Sequence, residues 1–365
     1  MNARVAGFPI YTLVMAGVAL LVFIGIPLTT NSFQTFQFAN VAAFVIAIVG
    51  LNILTGYSGQ ISLGNGAFMA VGGYTTALLA AKWPLPFIGF VPYGYTIPLA
   101  GLVAALLGFL IGIPALRLRG IYLALATFAL ALAVTPVLNN YDGFTGGHAG
   151  VFMKSATPPF GLDLSNDQWL YFMCWAIAAI LYVPAFLMLR SRTGRAWMAI
   201  RDSETAAVSS GISLAYYKTL AFGISAFYAG IAGSLFVINN AYVDPDSYSL
   251  ALSLTLLIGL VIGGLANVWG PILGGLLVVW LPYFAEKSAG FRLGPISLGG
   301  KPDIEFGIVL ILIVFFAPNG LTGLIGRGIR WYRSKRDAGR GAAPLPAPAV
   351  LEEATQGGEP SEIIG

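Results

Sequence analysis

Residues capable of chemistry are scarce in this chain, and the charged ones cluster. Arg190, Arg192, Arg195 and Arg201 lie close together, are followed by Asp202 and Glu204, and are closed off by Lys218. Cations and carboxylates in such alternation suit charge-assisted hydrogen bonding to another surface rather than bond making. The 365 residues include one histidine (His148) and one cysteine (Cys174). That inventory leaves no ordinary His/Cys metal site, no thiol pair and no Ser-His pair. No Gly-x-x-x-x-Gly-Lys-Ser/Thr occurs, so the chain has no P-loop for ATP.

A second group of polar residues accompanies glycines. The stretch Thr55-Gly56-Tyr57-Ser58-Gly59-Gln60-Ile61-Ser62-Leu63-Gly64-Asn65-Gly66-Ala67-Phe68 places hydroxyls and amides among glycines between two apolar runs. Gly263-Gly264-Leu265-Ala266-Asn267-Val268-Trp269-Gly270-Pro271 is a second such break. On the residues alone the first is either a plain turn at the membrane surface or a non-helical segment at membrane depth. In the second case it must be buried in protein or face a water-filled cavity, since unpaired backbone is costly in lipid. Discontinuous helices of that kind hold solutes through backbone groups and helix ends. A break in each half suggests two related halves, though the halves share too little sequence to establish a repeat. Thr145-Gly146-Gly147 offers either a backbone concavity for an anion or a surface turn. Asp244 and Asp246 fit either contact with a partner or simple solvation.

The elements that must carry these groups are membrane spans. The chain is 57% hydrophobic and 9% charged, with 46 glycines, whereas soluble chains are about 25% charged. The fold class is therefore all-α, a polytopic membrane protein. Crossing a bilayer takes roughly 20 apolar residues. That ruler gives about ten transmembrane helices, some broken or short: 8–28, 38–55, 66–81, 95–116, 121–138, 169–189, 217–238, 250–265, 271–284 and 304–325. The first is too long for a signal peptide and is read as a retained span. With the N-terminus cytoplasmic, 14 of the 19 Lys and Arg residues fall inside, as the positive-inside bias requires. Trp83, Trp169 and Trp331 then lie at interfaces. The net charge of +4 sits between and after spans, which argues against nucleic acid as a partner. Gly108/Gly112, Gly259/Gly263 and Gly270/Gly274 are spaced for close helix packing.

Two domains follow: a transmembrane domain over 1–326, containing the cytoplasmic loop 190–218, and a basic, then disordered tail over 327–365. Within the loop, Arg195–Ser209 reads as one short helix stopped by Gly211, since glycine accepts the left-handed geometry of a helix end. The loop is either a solvated connector or a docking surface. The span middles lack Asp, Glu, Lys and Arg, which weakens any proton- or sodium-relay reading and leaves no catalytic constellation.

The run Gly194-Arg195-Ala196-Trp197-Met198-Ala199-Ile200-Arg201-Asp202-Ser203-Glu204-Thr205-Ala206-Ala207, continuing through Gly211-Ile212 and Lys218-Thr219-Leu220-Ala221-Phe222, resembles the coupling loop of branched-chain amino-acid ABC importer permeases. Gly-Tyr-Ser-Gly-Gln at 56–60, Ser-Leu-Gly-Asn-Gly-Ala-Phe at 62–68, the 263–271 break and the 139–150 loop also resemble that family. The resemblance covers most of 38–325. It implies a permease subunit in the bacterial inner membrane with two ATPase subunits, a second permease subunit (a paralogue in many systems) and a periplasmic solute-binding protein. It implies no cofactor on this chain, ATP being held by the partners, and no enzyme activity. It assigns ATPase coupling to Gly194, Arg195, Ala199, Arg201, Asp202, Glu204, Ala207 and Gly211. It favours a packed, functional first break, so the substrate pathway is expected at Gly56, Tyr57, Ser58, Gly59, Gln60, Ser62, Asn65, Gly264 and Asn267. An aliphatic amino acid suits a pathway without charges. Close relatives handle urea or short amides, and a stand-alone carrier or channel for a neutral solute is the alternative class.

Overall fold

A computed structural model describes residues 4–5, 8–9, 23–82, 92–115, 118, 120–158, 164–287, 292–293, 296–297, 307, 311, 320–324 and 327. Most of the expected first and tenth spans, the 327–365 tail (apart from Arg327), Trp83, Arg117 and Arg119 lie outside these residues.

The described chain up to residue 323 is a helical bundle. Helix α1 covers 23–29. α2 (Ser32–Leu51) runs into a π turn at Asn52–Tyr57, and α3 (Asn65–Ala77) into another at Leu78–Lys82. α4 (Tyr93–Ala115), α5 (Ile121–Asn140), the one-turn α6 (Asp142–Thr145) and α7 (Asn166–Arg190) follow. Next come α8 (Arg192–Asp202), α9 (Glu204–Ser209), α10 (Leu214–Asn240), α11 (Leu250–Gly263) and α12 (Gly270–Lys287). A last helical stretch, α13, covers 320–324. Three two-residue antiparallel ladders complete the described structure, of which Val151–Phe152 with Tyr242–Val243 ties two loops at one end of the bundle. The part of the chain from Leu324 onward is a separate unit and contributes only Leu324 and Arg327 to the described residues.

Among the described residues, five helices are long and apolar enough to cross a membrane: Ser32–Tyr57, Tyr93–Pro114, Ile121–Asn140, Asn166–Arg190 and Leu214–Asn240. Two shorter apolar helices are Leu250–Gly263 and Gly270–Phe284. Several helices begin before the apolar ruler places them, because their first turns are polar. α2 opens with Ser32, Gln34 and Thr35, and α7 with a Ser165/Gln168 capping box that satisfies exposed helix-end N–H groups.

α10 is the central helix, packed by α2, α3 and α4. Glycine permits the closest of these crossings: a Cβ on Gly72 would stand 2.0 Å from the Gly230 carbonyl oxygen, and one on Gly233 1.9 Å from that of Met69. The sequence-spaced glycine pairs serve the same end. Gly108 faces Ala226 of α10, while Gly263 and Gly274 press on the carbonyls of Gly270 and Gly259 across the α11/α12 pair. Apolar side chains cover the outside of α4 and α7: Leu106 is 61% exposed, Ile113 59% and Ile180 68%. In water such surface would be unfavourable, and lipid covers it without cost.

Candidate functional site

The charged stretch is mostly helical and partly buried. α7 ends at Arg190, α10 already starts at Leu214, and Lys218 lies on α10 with its side chain only 7% exposed. The expected single helix Arg195–Ser209 is two. Ser203 adopts an extended backbone (φ −161°, ψ 113°) and its hydroxyl accepts from the Ala206 N–H at 3.3 Å, capping α9. Serine competes for backbone in this way and starts helices better than it continues them. Gly211 stops α9 with φ +79°, as its sequence position predicts, and the Ile212 N–H returns to the Ala207 carbonyl.

α8 is anchored from below by Trp197, which is fully buried and donates its indole N–H to the Tyr217 carbonyl at 2.8 Å. Gly194, Ala196 and Ile200 are buried beside it, leaving Arg192, Arg195, Arg201 and Asp202 outward. α9 is held by the Glu204–Lys218 ion pair at 2.5 Å. Ala207 is buried, whereas Thr205, Val208 and Ser209 are exposed.

The first glycine break begins directly beneath this element. In the π turn the Ser58 N–H bonds the Ile53 carbonyl at 3.0 Å, one residue beyond helical register. Arg201 donates Nη1 to the Gly56 carbonyl at 3.1 Å and lies over Gly59, whose φ is +73°. Gln60 donates to Ser58 Oγ at 2.6 Å and to the Lys218 carbonyl at 3.3 Å. From there the chain climbs, non-helical, into the bundle. Asn65 accepts from Ser225 Oγ at 3.2 Å, seven residues farther along α10 than Lys218, or about 10 Å of rise. Asn65 also donates to the Ala47 carbonyl of α2 at 3.3 Å. The Leu63 N–H is met by Thr127 Oγ1 of α5 and the Gly66 N–H by Ser253 Oγ of α11, each at 3.0 Å. Ser62 is 1% exposed and accepts from the Gly64 N–H. The break is thus a hydrogen-bonded segment, buried at Ser58, Gln60, Ser62 and Gly64–Phe68 but exposed at Gly59 and Ile61, and α3 starts near the level of the middle of α10.

The second break meets the first. Asn52, 2% exposed, accepts from the Ala266 N–H at 3.0 Å and donates to the Asn267 carbonyl at 2.9 Å. Gly264 (φ +118°) and Ala266 (φ +52°) turn the chain sharply between α11 and α12. Tyr182 of α7 donates its hydroxyl to the Val268 carbonyl, and Thr322 donates to the Gly263 carbonyl at 3.0 Å. Packing here is close: a void of about 10 Å³ lies against Asn52, Tyr182 and Val268, the scale of one water.

Of the residues singled out from the sequence, Arg201 joins Gly56, Gly59 and, through the turn, the Gly264–Asn267 break. Arg195 bonds the Arg190 carbonyl instead, and Gly211 stands apart at the far end of α9. Asn52, Trp197 and Tyr182 do not stand out as site residues from the sequence, although an amide within an apolar run is a readable signal for Asn52. At the opposite end, the Thr145-Gly146-Gly147 turn satisfies itself. Thr145 donates to the Leu138 carbonyl and accepts from the Gly147 N–H, and His148 is exposed. Asp244 accepts from the N–H and hydroxyl of Ser247.

A helical bundle with apolar helices of membrane-span length, non-helical breaks and a charged surface helix docked on one of them defines a polytopic membrane protein. The family model for the permease component of the branched-chain amino acid transport system matches residues 35–317, and the chain belongs to that family. Such components are multi-pass proteins of the inner membrane. The high-affinity branched-chain amino acid permease protein LivM of Salmonella typhimurium is 36% identical over 252 residues, which are 63% of this chain and 58% of that protein. A probable LivM of Methanocaldococcus jannaschii is 26% identical over 243 residues, 61% of this chain and 67% of that protein. LsrC, an autoinducer 2 import system permease of Escherichia coli, is 25% identical over 185 residues, 48% of this chain and 51% of that protein. The match thus spans 58% of the length of the LivM relatives of S. typhimurium and E. coli. No solved structure matches the chain.

Proposed function

We propose that the chain is the membrane-spanning permease subunit of an ATP-driven importer for branched-chain, aliphatic amino acids. In this reading ten spans place the N-terminus, α8 and α9 in the cytoplasm. Two ATPase subunits supply the energy, with one seated on α8–α9. A second permease subunit completes the pore, and a periplasmic binding protein delivers the solute. ATP favours one state of the assembly, and its differential binding moves α8.

The observation that carries the reading is the Arg201–Gly56 bond, which joins an outward-facing charged helix directly to a buried break. The name carried by the LivM relatives and the absence of charge from the middles of the spans support an aliphatic amino acid as solute. Reconstitution in sealed vesicles tests it: uptake of labelled leucine should require ATP, the partner ATPases and the binding protein. Gradient-driven flux by this chain alone would overturn it, and preferential uptake of urea would move the solute class to short amides.

A further inference from the structure

We infer that Asn52 is a positioning residue, the link through which α8 sets the conformation of the turn between α11 and α12. Its carboxamide makes two bonds, both to backbone: Oδ1 with the Ala266 N–H and Nδ2 with the Asn267 carbonyl. Such a clamp reads no side chain. It fixes the path of the chain where Ala266 is held at φ +52°, a conformation that L-residues disfavour and that persists only when its surroundings enforce it.

Asn52 also opens the π turn whose Gly56 carbonyl receives Arg201. The two contacts are mechanically adjacent. A Cβ on Gly56 would stand 2.1 Å from Asn52 Oδ1 and 2.7 Å from the Ala266 nitrogen, so Gly56 touches the clamp and the clamped turn together. Displacing Gly56 therefore bears on the clamp and on the clamped turn together. A π turn carries one residue more than an α turn and is a common place for a helix to change register. Tyr182 and Thr322 tie the same turn to α7 and α13. Movement passed through Asn52 would in this way reach α7 and the 320–324 stretch together with the α11/α12 turn.

The inference deepens the reading of α8 as the ATPase-facing element, but its first test does not depend on that reading. Hydrogen exchange is followed in peptides covering 258–270, in the full chain held in lipid nanodiscs. Arg201→Ala, a change at an exposed side chain, should accelerate exchange there by at least about fivefold. Asn52→Leu should accelerate it by itself, and adding Arg201→Ala to Asn52→Leu should then contribute nothing more. Unchanged exchange in Arg201→Ala, or effects of the two substitutions that simply add, would overturn the link. If Asn52→Leu does not fold, the Arg201→Ala arm still decides.

The second test uses the assembled transporter. Asn52→Leu should lower leucine uptake per ATP hydrolysed about tenfold while hydrolysis stays within about twofold. A parallel fall of both would mark Asn52 as merely structural. Should the wild-type assembly show no ATP-driven uptake, the proposed function fails while the exchange result still stands or falls independently.

Discussion

Arg201 divides its guanidinium between two partners: Nη1 goes to the Gly56 carbonyl at 3.1 Å, and Nε and Nη2 to the Asp202 carboxylate at 3.1 and 3.0 Å. One half of the side chain belongs to the exposed surface and the other to a buried turn. The pairing with Asp202, on the same helix and largely exposed, adds little stability. Its value lies in orienting the fork so that Nη1 reaches Gly56. Arg201→Lys should therefore behave like Arg201→Ala, because a lysine ammonium is a point donor without the planar fork. Uptake should drop about tenfold in both. Recovery of wild-type uptake by lysine would show that charge alone suffices.

The Glu204–Lys218 pair is asymmetric, with Lys218 7% exposed and Glu204 33%. Removing the acid strands a buried cation, whereas removing the lysine leaves an acid whose side chain is one-third exposed. Glu204→Ala should therefore destabilise more than Lys218→Met. We expect about 2–3 kcal/mol against about 1 kcal/mol. Thermal unfolding of the purified protein in detergent, compared between the two variants, reads the difference. The opposite ranking would mean that Glu204 owes its place to other contacts.

Much of this organisation is legible in the sequence, and the limits have physical causes. Span-length apolar runs identify the long helices because lipid imposes a length on them. Gly211 marks a helix end because few residues adopt φ +79°. The glycine-rich stretch at 56–66 announces irregular backbone, and the resemblance to a permease family places it in the interior. Ser203 reads as mid-helix in the sequence because its choice between continuing and capping depends on tertiary context. The join between Asn52 and Ala266–Asn267 spans more than 200 positions, and no local pattern encodes it. Lys218 reads as the cation that closes the loop, yet it lies on α10, where Glu204, fourteen residues earlier, pairs with it.

Gly233 tests the central crossing. An added Cβ there would lie 1.9 Å from the Met69 carbonyl oxygen, a backbone atom that cannot rotate aside. Gly233→Ala should separate α3 from α10, at a cost of more than about 3 kcal/mol. Gly94, where an added methyl would meet nothing within 4 Å, is the matched control. Gly94→Ala should leave stability unchanged or raise it by up to about 1 kcal/mol. Fluorescence-detected size exclusion during a heat ramp compares the two. Equal behaviour would mean that the crossing has slack.

Trp197 separates anchoring of the loop from folding of the spans. Its ring is fully buried under α8 and its N–H bonds the Tyr217 carbonyl at the start of α10. Trp197→Phe keeps most of the apolar contact and removes one hydrogen bond, for about 1 kcal/mol. Trp197→Ala opens a cavity worth about 3–5 kcal/mol. That loss falls on an element which packs on the bundle rather than running through it, so the spans should survive while α8 detaches. Limited proteolysis within 190–213 should then become much faster at unchanged helical content by circular dichroism. Loss of helical content together with cleavage would mean that α8 is part of the folding core and not a docked, movable piece.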